Sequence, residues 1–112
     1  MTSPEKVAHL LGDLTTFAEQ AAYVTAPGRA AFAADSPEGS LLRNAGERIL
    51  IKVATVTERL PEEFKDRHPQ IAWRNIARMR NLVAHHYDHV DDDLIWNALV
   101  KLIPALVQDL AE

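Results

Sequence analysis

Leu42, Ala45, Ile49, Val53, Val56 and Leu60 follow one another at intervals of 3, 4, 4, 3 and 4 residues. An α-helix brings a side chain back to the same face about every 3.6 residues and a strand every 2, so this spacing specifies a helix with one buried side. Helical spacing recurs along the chain. Ser3-Pro4 reads as an N-cap with proline in the first turn. It opens a helix that carries Val7, Leu10, Leu11, Leu14, Phe17, Ala21 and Val24 on one side, until Ala26-Pro27-Gly28 ends it. A mixed stretch follows. Asp35-Ser36-Pro37 then repeats the start signal for the helix that runs to Leu60, where Pro61 closes it.

PEEFKDRHPQ, fenced by Pro61 and Pro69, is a connector with room for one short helical turn. A third long helix starts near Ile71 and turns Ile76, Met79 and Val83 inward. Asp91-Asp92-Asp93 starts a fourth, because carboxylates there cap free N–H groups and favour the positive end of the helix dipole. Ile95, Leu99, Leu102 and Leu106, flanked by Trp96, Val100, Ile103 and Val107, give it a wide apolar face, and Pro104 inside it should bend it. Period-2 runs and Asn-Gly turns are missing. The expected fold is all-α: an antiparallel four-helix bundle with one short additional helix, residues 1–112 forming a single domain.

A chain of 112 residues, 47% of them hydrophobic, can bury roughly two thirds of its unfolded surface in one core. With no cysteine, disulfides, thiolate metal sites and thiol catalysis are excluded. The opening MTSPEKVAHLLGDL has neither the basic flank nor the long apolar run of a signal peptide, and no stretch approaches the roughly 20 apolar residues of a membrane span. The expectation is a cytoplasmic protein with no membrane partner.

The net charge of −4 argues against a polyanionic partner, but its distribution does not. Residues 1–64 carry −3 and residues 88–112 carry −5, whereas 65–87 carry +4 from Lys65, Arg67, Arg74, Arg78 and Arg80 against Asp66. A local basic strip in an acidic protein can hold a polyanion at one place. The competing reading is an ordinary solvated helix face.

Within that strip RNLVAHHYDH, residues 80–89, crowds an arginine, three histidines and a tyrosine together. Singly, the histidines read as polar residues at a helix end. Together, Arg80, Asn81, His85 and Tyr87 are a set able to hold and cleave a phosphodiester: a fixed cation, an amide, a group titrating near neutrality and a phenol. His85 and His89 are also spaced like a zinc-binding pair, but His86 stands where the usual glutamate would fall, so no metal site is assigned. Geometry adds a constraint. At about 100° per residue, His85 lies about 140° around an ideal helix from Arg80, while Tyr87 returns to the Arg80 face. For all three to converge the helix must distort or end near His85, or the site must draw on two chains.

Arg80-Asn81-Leu82-Val83-Ala84-His85-His86-Tyr87 fits R-x-x-x-x-H-x-Y, the signature of HEPN-domain ribonucleases. The run IAWRNIARMRNLVAHHYDHVDDDLIWNALVKLIPAL resembles their HepT branch, toxins of the HepT/MntA toxin–antitoxin type. The shared features are Trp73 ahead of Met79-Arg80-Asn81, then Tyr87, Val90-Asp91, Trp96, and Leu102 to Leu106 around Pro104. Two departures stand out. Ala54-Thr55-Val56 occupies a step that is often Gly-Glu-Ala, and His86 occupies a place where acidic residues are frequent.

The resemblance implies a HEPN homodimer with both motifs facing a shared cleft, and RNA cleavage without metal or other cofactor. It also implies silencing by a cognate nucleotidyltransferase antitoxin that adenylylates Tyr87. Read residue by residue, Arg80, His85 and Tyr87 are the catalytic candidates, Asn81 and His86 their supports, and Arg74 and Arg78 contacts along the RNA. The rival is a non-catalytic HEPN module that binds nucleotide, RNA or a partner protein.

Overall fold

The computed structural model describes residues 3–85 and 91–111. Helix α1 spans Ser3–Thr25, α2 Arg29–Ala33, α3 Pro37–Arg59, α4 Glu62–Asp66 and α5 Trp73–His85. The last rod is built in three pieces: α6 (Asp92–Asn97), a π-helical turn (Ala98–Leu102) and α7 (Ile103–Leu110). The fold is the expected all-α antiparallel bundle of four long rods. Among the described residues two short helices decorate it rather than one. The connector after Pro61 supplies α4, and the mixed stretch after Gly28 supplies α2, whose Phe32 is driven into the core at 1% exposure.

The terminal signals act as their chemistry requires. Ser36 accepts from the Gly39 N–H at 3.1 Å and Pro37 follows it, so α3 starts with a capped donor and a preset φ. Asp91 caps α6 in the same way, accepting from the Asp93 N–H at 2.8 Å. Gly28 takes φ 104° where the chain leaves α1 for α2, a conformation that side chains with a Cβ rarely adopt.

Helix α3 is the axis of the bundle, packed on by α1, α2, α5 and α6. It is buried on a broader face than the six-residue stripe implied. Leu50 and Val53 are wholly excluded from solvent, with Ala54, Val56 and Thr57 close behind. Ala45, expected inward, is instead exposed, and Gly46 faces the core. The reason is crowding. A Cβ on Gly46 would lie 2.8 Å from Leu99 Cδ1 and 3.4 Å from Phe32 Cε2, so a side chain there would have to push Leu99 aside.

Pro104 is met by the π-turn immediately before it. Proline has no N–H to bond four residues back and its ring crowds that carbonyl, which here belongs to Val100. A wider turn at Ala98–Leu102 takes up the misfit. Leu99 within it and Ile103 directly after it stay buried. Among the described residues no helix is long and apolar enough to cross a membrane.

The two ends of α3 are fixed differently, and its start can be tested. A Cβ on Gly39 would stand 2.2 Å from the Ala34 carbonyl oxygen, which is backbone and cannot give way. Gly12, exposed in mid-α1, meets nothing within 4 Å. In urea denaturation G39A should lose about 1–3 kcal/mol from overpacking. G12A should gain about 0.5–1 kcal/mol from the smaller entropy loss on folding.

Candidate functional site

Helix α5 carries most of the candidate residues, and its start is anchored from behind. The Trp73 indole N–H donates to the carbonyls of Lys65 and His68, each at 3.2 Å, tying the α4–α5 connector to the first turn. Ile76 and Val83 are buried and Met79 half-buried, which fixes the rotation of the helix. With that side inward, Arg74, Arg78, Asn81 and His85 are all exposed. They are spaced 4, 3 and 4 residues apart, so they form one stripe about 16 Å long at 1.5 Å per residue.

Arg80 is not on that stripe. It is half-buried and turned toward α3, where its Nε donates to Thr55 Oγ1 at 3.2 Å. The Thr55 hydroxyl in turn donates to the Ile51 carbonyl at 2.8 Å. Since α5 is a regular helix from Arg80 to His85, the two residues stay about 140° apart around it. Of the routes to convergence raised by the sequence, distortion between Arg80 and His85 is thereby removed. His86, Tyr87, Asp88 and His89 lie outside the described residues, and with them the expected return of Tyr87 to the Arg80 face.

His85 opens instead onto a shallow cleft of about 660 Å³, shared with Asn75, Arg78, Met79, Asn81, Leu82 and Leu94. It runs into a second hollow of about 800 Å³ along the last rod, through the common residues Met79 and Leu94. The joint groove has an apolar floor of Met79, Leu82, Leu94, Ala98 and Leu102, and Leu82 is among the few large apolar side chains well exposed.

The basic strip divides into structural and available charge. Lys65 pairs with Glu62 at 3.5 Å, and Arg67 lies over the Phe64 ring with its guanidinium carbon 5.8 Å from the centroid. Arg74, Arg78 and Arg80 have no carboxylate within ion-pairing distance among the described residues. At the acidic start of α6 two of the three aspartates meet arginines: Arg29 pairs with Asp93, and Arg43 Nε lies 4.0 Å from Asp92. Arg43 also donates to the carbonyls of Phe32 and Ala34 at 2.8 and 2.9 Å, lashing α2 and α3 to the same corner. This clamp was not visible in the sequence, because its members are scattered over residues 29, 43, 92 and 93.

A family model described as Ribonuclease HepT-like matches residues 16–112. The chain is similar to "Probable ribonuclease HepT" of Thermococcus cleftensis, 37% identical over 59 residues, 53% of this chain and 54% of that protein. It is also similar to a "Putative RNase" of Caldanaerobacter subterraneus subsp. tengcongensis, 32% identical over 78 residues, 70% of each chain. A third relative, a "Putative RNase" of Methanocaldococcus jannaschii, is 29% identical over 65 residues, 58% of this chain and 54% of that one. The matched stretch thus spans little more than half of two of these three relatives. No solved structure matches.

One group beside the acidic corner senses pH. Burial, and then the charge of Asp92, raise the Glu47 carboxyl above its ordinary pKa, with Arg43 opposing them. A carboxyl whose folded pKa is raised stabilises the fold while protonated and loses that contribution as pH rises through the raised value. Glu47→Gln should therefore melt higher than wild type at pH 7. The advantage should shrink on acidification and vanish below the unfolded carboxyl pKa of about 4.3, in thermal melts across that range.

Proposed function

The chain belongs to the ribonuclease HepT-like family, and on that premise we propose that it is a metal-independent ribonuclease, the toxin of a two-component toxin–antitoxin system. The observation that carries this reading is the α5 surface: two exposed arginines without an ion-pair partner among the described residues, an amide and a histidine on one helix face, with Arg80 held at its flank. Arg74 and Arg78 contact the RNA backbone, Asn81 orients the phosphate, and His85 moves protons. Arg80 stabilises the charge that builds on the phosphoryl oxygens, and His86 tunes the local charge.

The separation of Arg80 from His85 supports a site assembled from two copies of the chain. A second copy seated in the apolar groove would bury Met79, Leu82 and Leu94, and would bring its own α5 beside the first. Two His85 side chains then serve the two proton transfers. One removes the proton of the 2′-hydroxyl as its oxygen attacks phosphorus; the other protonates the departing 5′-oxygen, leaving a 2′,3′-cyclic phosphate. A lone chain, with Arg80 and His85 on different sides of α5, suits the rival non-catalytic RNA-binding module.

Labelled RNA incubated with the protein in EDTA should be cut to products ending in 2′,3′-cyclic phosphate. His85→Ala should slow cleavage by about 10²–10⁴-fold while keeping most RNA binding. Binding without cleavage by the wild type, at concentrations where light scattering shows a dimer, would establish the rival.

Tyr87 is the proposed off-switch. A cognate nucleotidyltransferase transfers AMP from ATP to its phenol, with pyrophosphate as the leaving group. The attached phosphodiester brings about one negative charge to the arginines and occupies space the RNA needs. Co-expression with such an enzyme should add AMP to the wild type, as seen by mass spectrometry, and leave Tyr87→Phe unmodified and harder to silence. Modified protein that still cuts at full rate rules the switch out.

A further inference from the structure

Arginine has donors and no acceptor, so the contact between Arg80 and Thr55 has only one polarity: Nε–H gives and the threonine oxygen receives. The Thr55 proton is already committed to the Ile51 carbonyl, which turns the oxygen lone pairs toward α5. Ile51 and Thr55 belong to α3, the rod whose other face builds the core, so the acceptor is mounted on a helix fixed by packing. Thr55 is also neutral. A carboxylate there would cancel the arginine charge, whereas a hydroxyl restrains the side chain and leaves its full charge for an incoming anion.

We infer that Thr55 is a positioning residue for phosphate recognition, gripping Arg80 by its Nε edge so that the two Nη groups meet the phosphate end-on. The inference rests on the ribonuclease reading and deepens it by assigning a residue that no part of the arginine–histidine–tyrosine motif contains. Thr55 touches neither RNA nor the reacting atoms. Its effect passes through the orientation of Arg80, whose long flexible stem loses its rotamer freedom only when held, and Thr55 is the residue that holds it among the described residues.

The test uses the full chain with Thr55→Val, which keeps the shape and removes the acceptor, and Thr55→Ser, which keeps the acceptor. Loss of one hydrogen bond to a charged group corresponds to about a tenfold fall in kcat/KM for Thr55→Val, and Thr55→Ser should recover most of it. Thermal melts check that both variants fold. In an Arg80→Ala background Thr55→Val should cost nothing more, because the residue it positions is gone. A Thr55→Val protein as active as wild type, or an undiminished tenfold loss in the Arg80→Ala background, overturns the inference.

A second readout needs no activity. The Arg80 Nε–H resonance in a ¹⁵N-correlated spectrum should be protected from exchange in wild type and Thr55→Ser, and lose protection in Thr55→Val. An unchanged resonance overturns the inference. Wild-type protein that cuts no RNA would remove the ribonuclease reading instead, and the Arg80 resonance would still decide whether Thr55 holds the guanidinium.

Discussion

The close approach of other rods to α3 is the constraint from which the rest of the molecule follows. Helices pack at distances set by the side chains between them, and α3 offers glycine or alanine where neighbours press hardest. Gly39 lies under the Ala34 carbonyl, Gly46 under Leu99 and Phe32, and Ala54 is wholly buried beside Val53. Around these small residues Ile49, Leu50, Val53 and Val56 supply the apolar volume. The same helix that builds the core also exposes Thr55 on one edge, which ties the orientation of Arg80 to the packing of the interior. Stability and site geometry therefore share one element.

What could be read from the sequence was whatever local chemistry decides. Ser36-Pro37 and Asp91 are start signals that need no tertiary partner, and both act where their residue types place them. The inward stripe of α5 and the exposed line of arginines follow from helical period alone. What could not be read depends on residues far apart in the chain. Ala45 and Gly46 are neighbours, and the choice of which faces the core is made by Leu99, more than fifty residues on. Phe32 looks unremarkable in a mixed stretch until its ring is seen 5.4 Å from that of Trp96, which gives the short helix α2 a reason to form. Thr55 registered in the sequence only as a departure from a resemblance. That its hydroxyl meets Arg80, twenty-five residues later, depends on how α3 and α5 lie together.

Charge is arranged with similar economy. The three aspartates that begin α6 cap it and favour its dipole, yet left alone they would repel a polyanion from the nearby end of α5. Arg29 of α2 pairs with Asp93 and Arg43 of α3 lies 4.0 Å from Asp92, which offsets part of that charge. The raised pKa of Glu47 belongs to the same corner, where a partly buried carboxyl faces one charge of its own sign and one of the opposite sign. Two of the three aspartates are thus engaged by α2 and α3, Asp91 and Asp93 still border the hollow that continues the His85 cleft, and the arginines of α5 have no ion-paired carboxylate among the described residues. The overall charge of −4 thus says little about what this one surface attracts.

The helical period that makes α5 legible also limits what one chain can do. Six residues that begin with arginine and end with histidine can sit next to one another in a pocket only if the helix gives way between them, and here it does not. Arg80 is fixed against α3 by Thr55, and His85 projects over the groove floored by Met79, Leu82 and Leu94. The stripe of Arg74, Arg78, Asn81 and His85 therefore lies around the helix from Arg80. Moving either residue would mean unwinding α5, whose Ile76 and Val83 are locked in the core. On the proposed two-chain reading, a second α5 laid across the groove would present its own arginine and histidine without disturbing either chain. Under that proposal the motif is half of a site, written on a helix too regular to close upon itself.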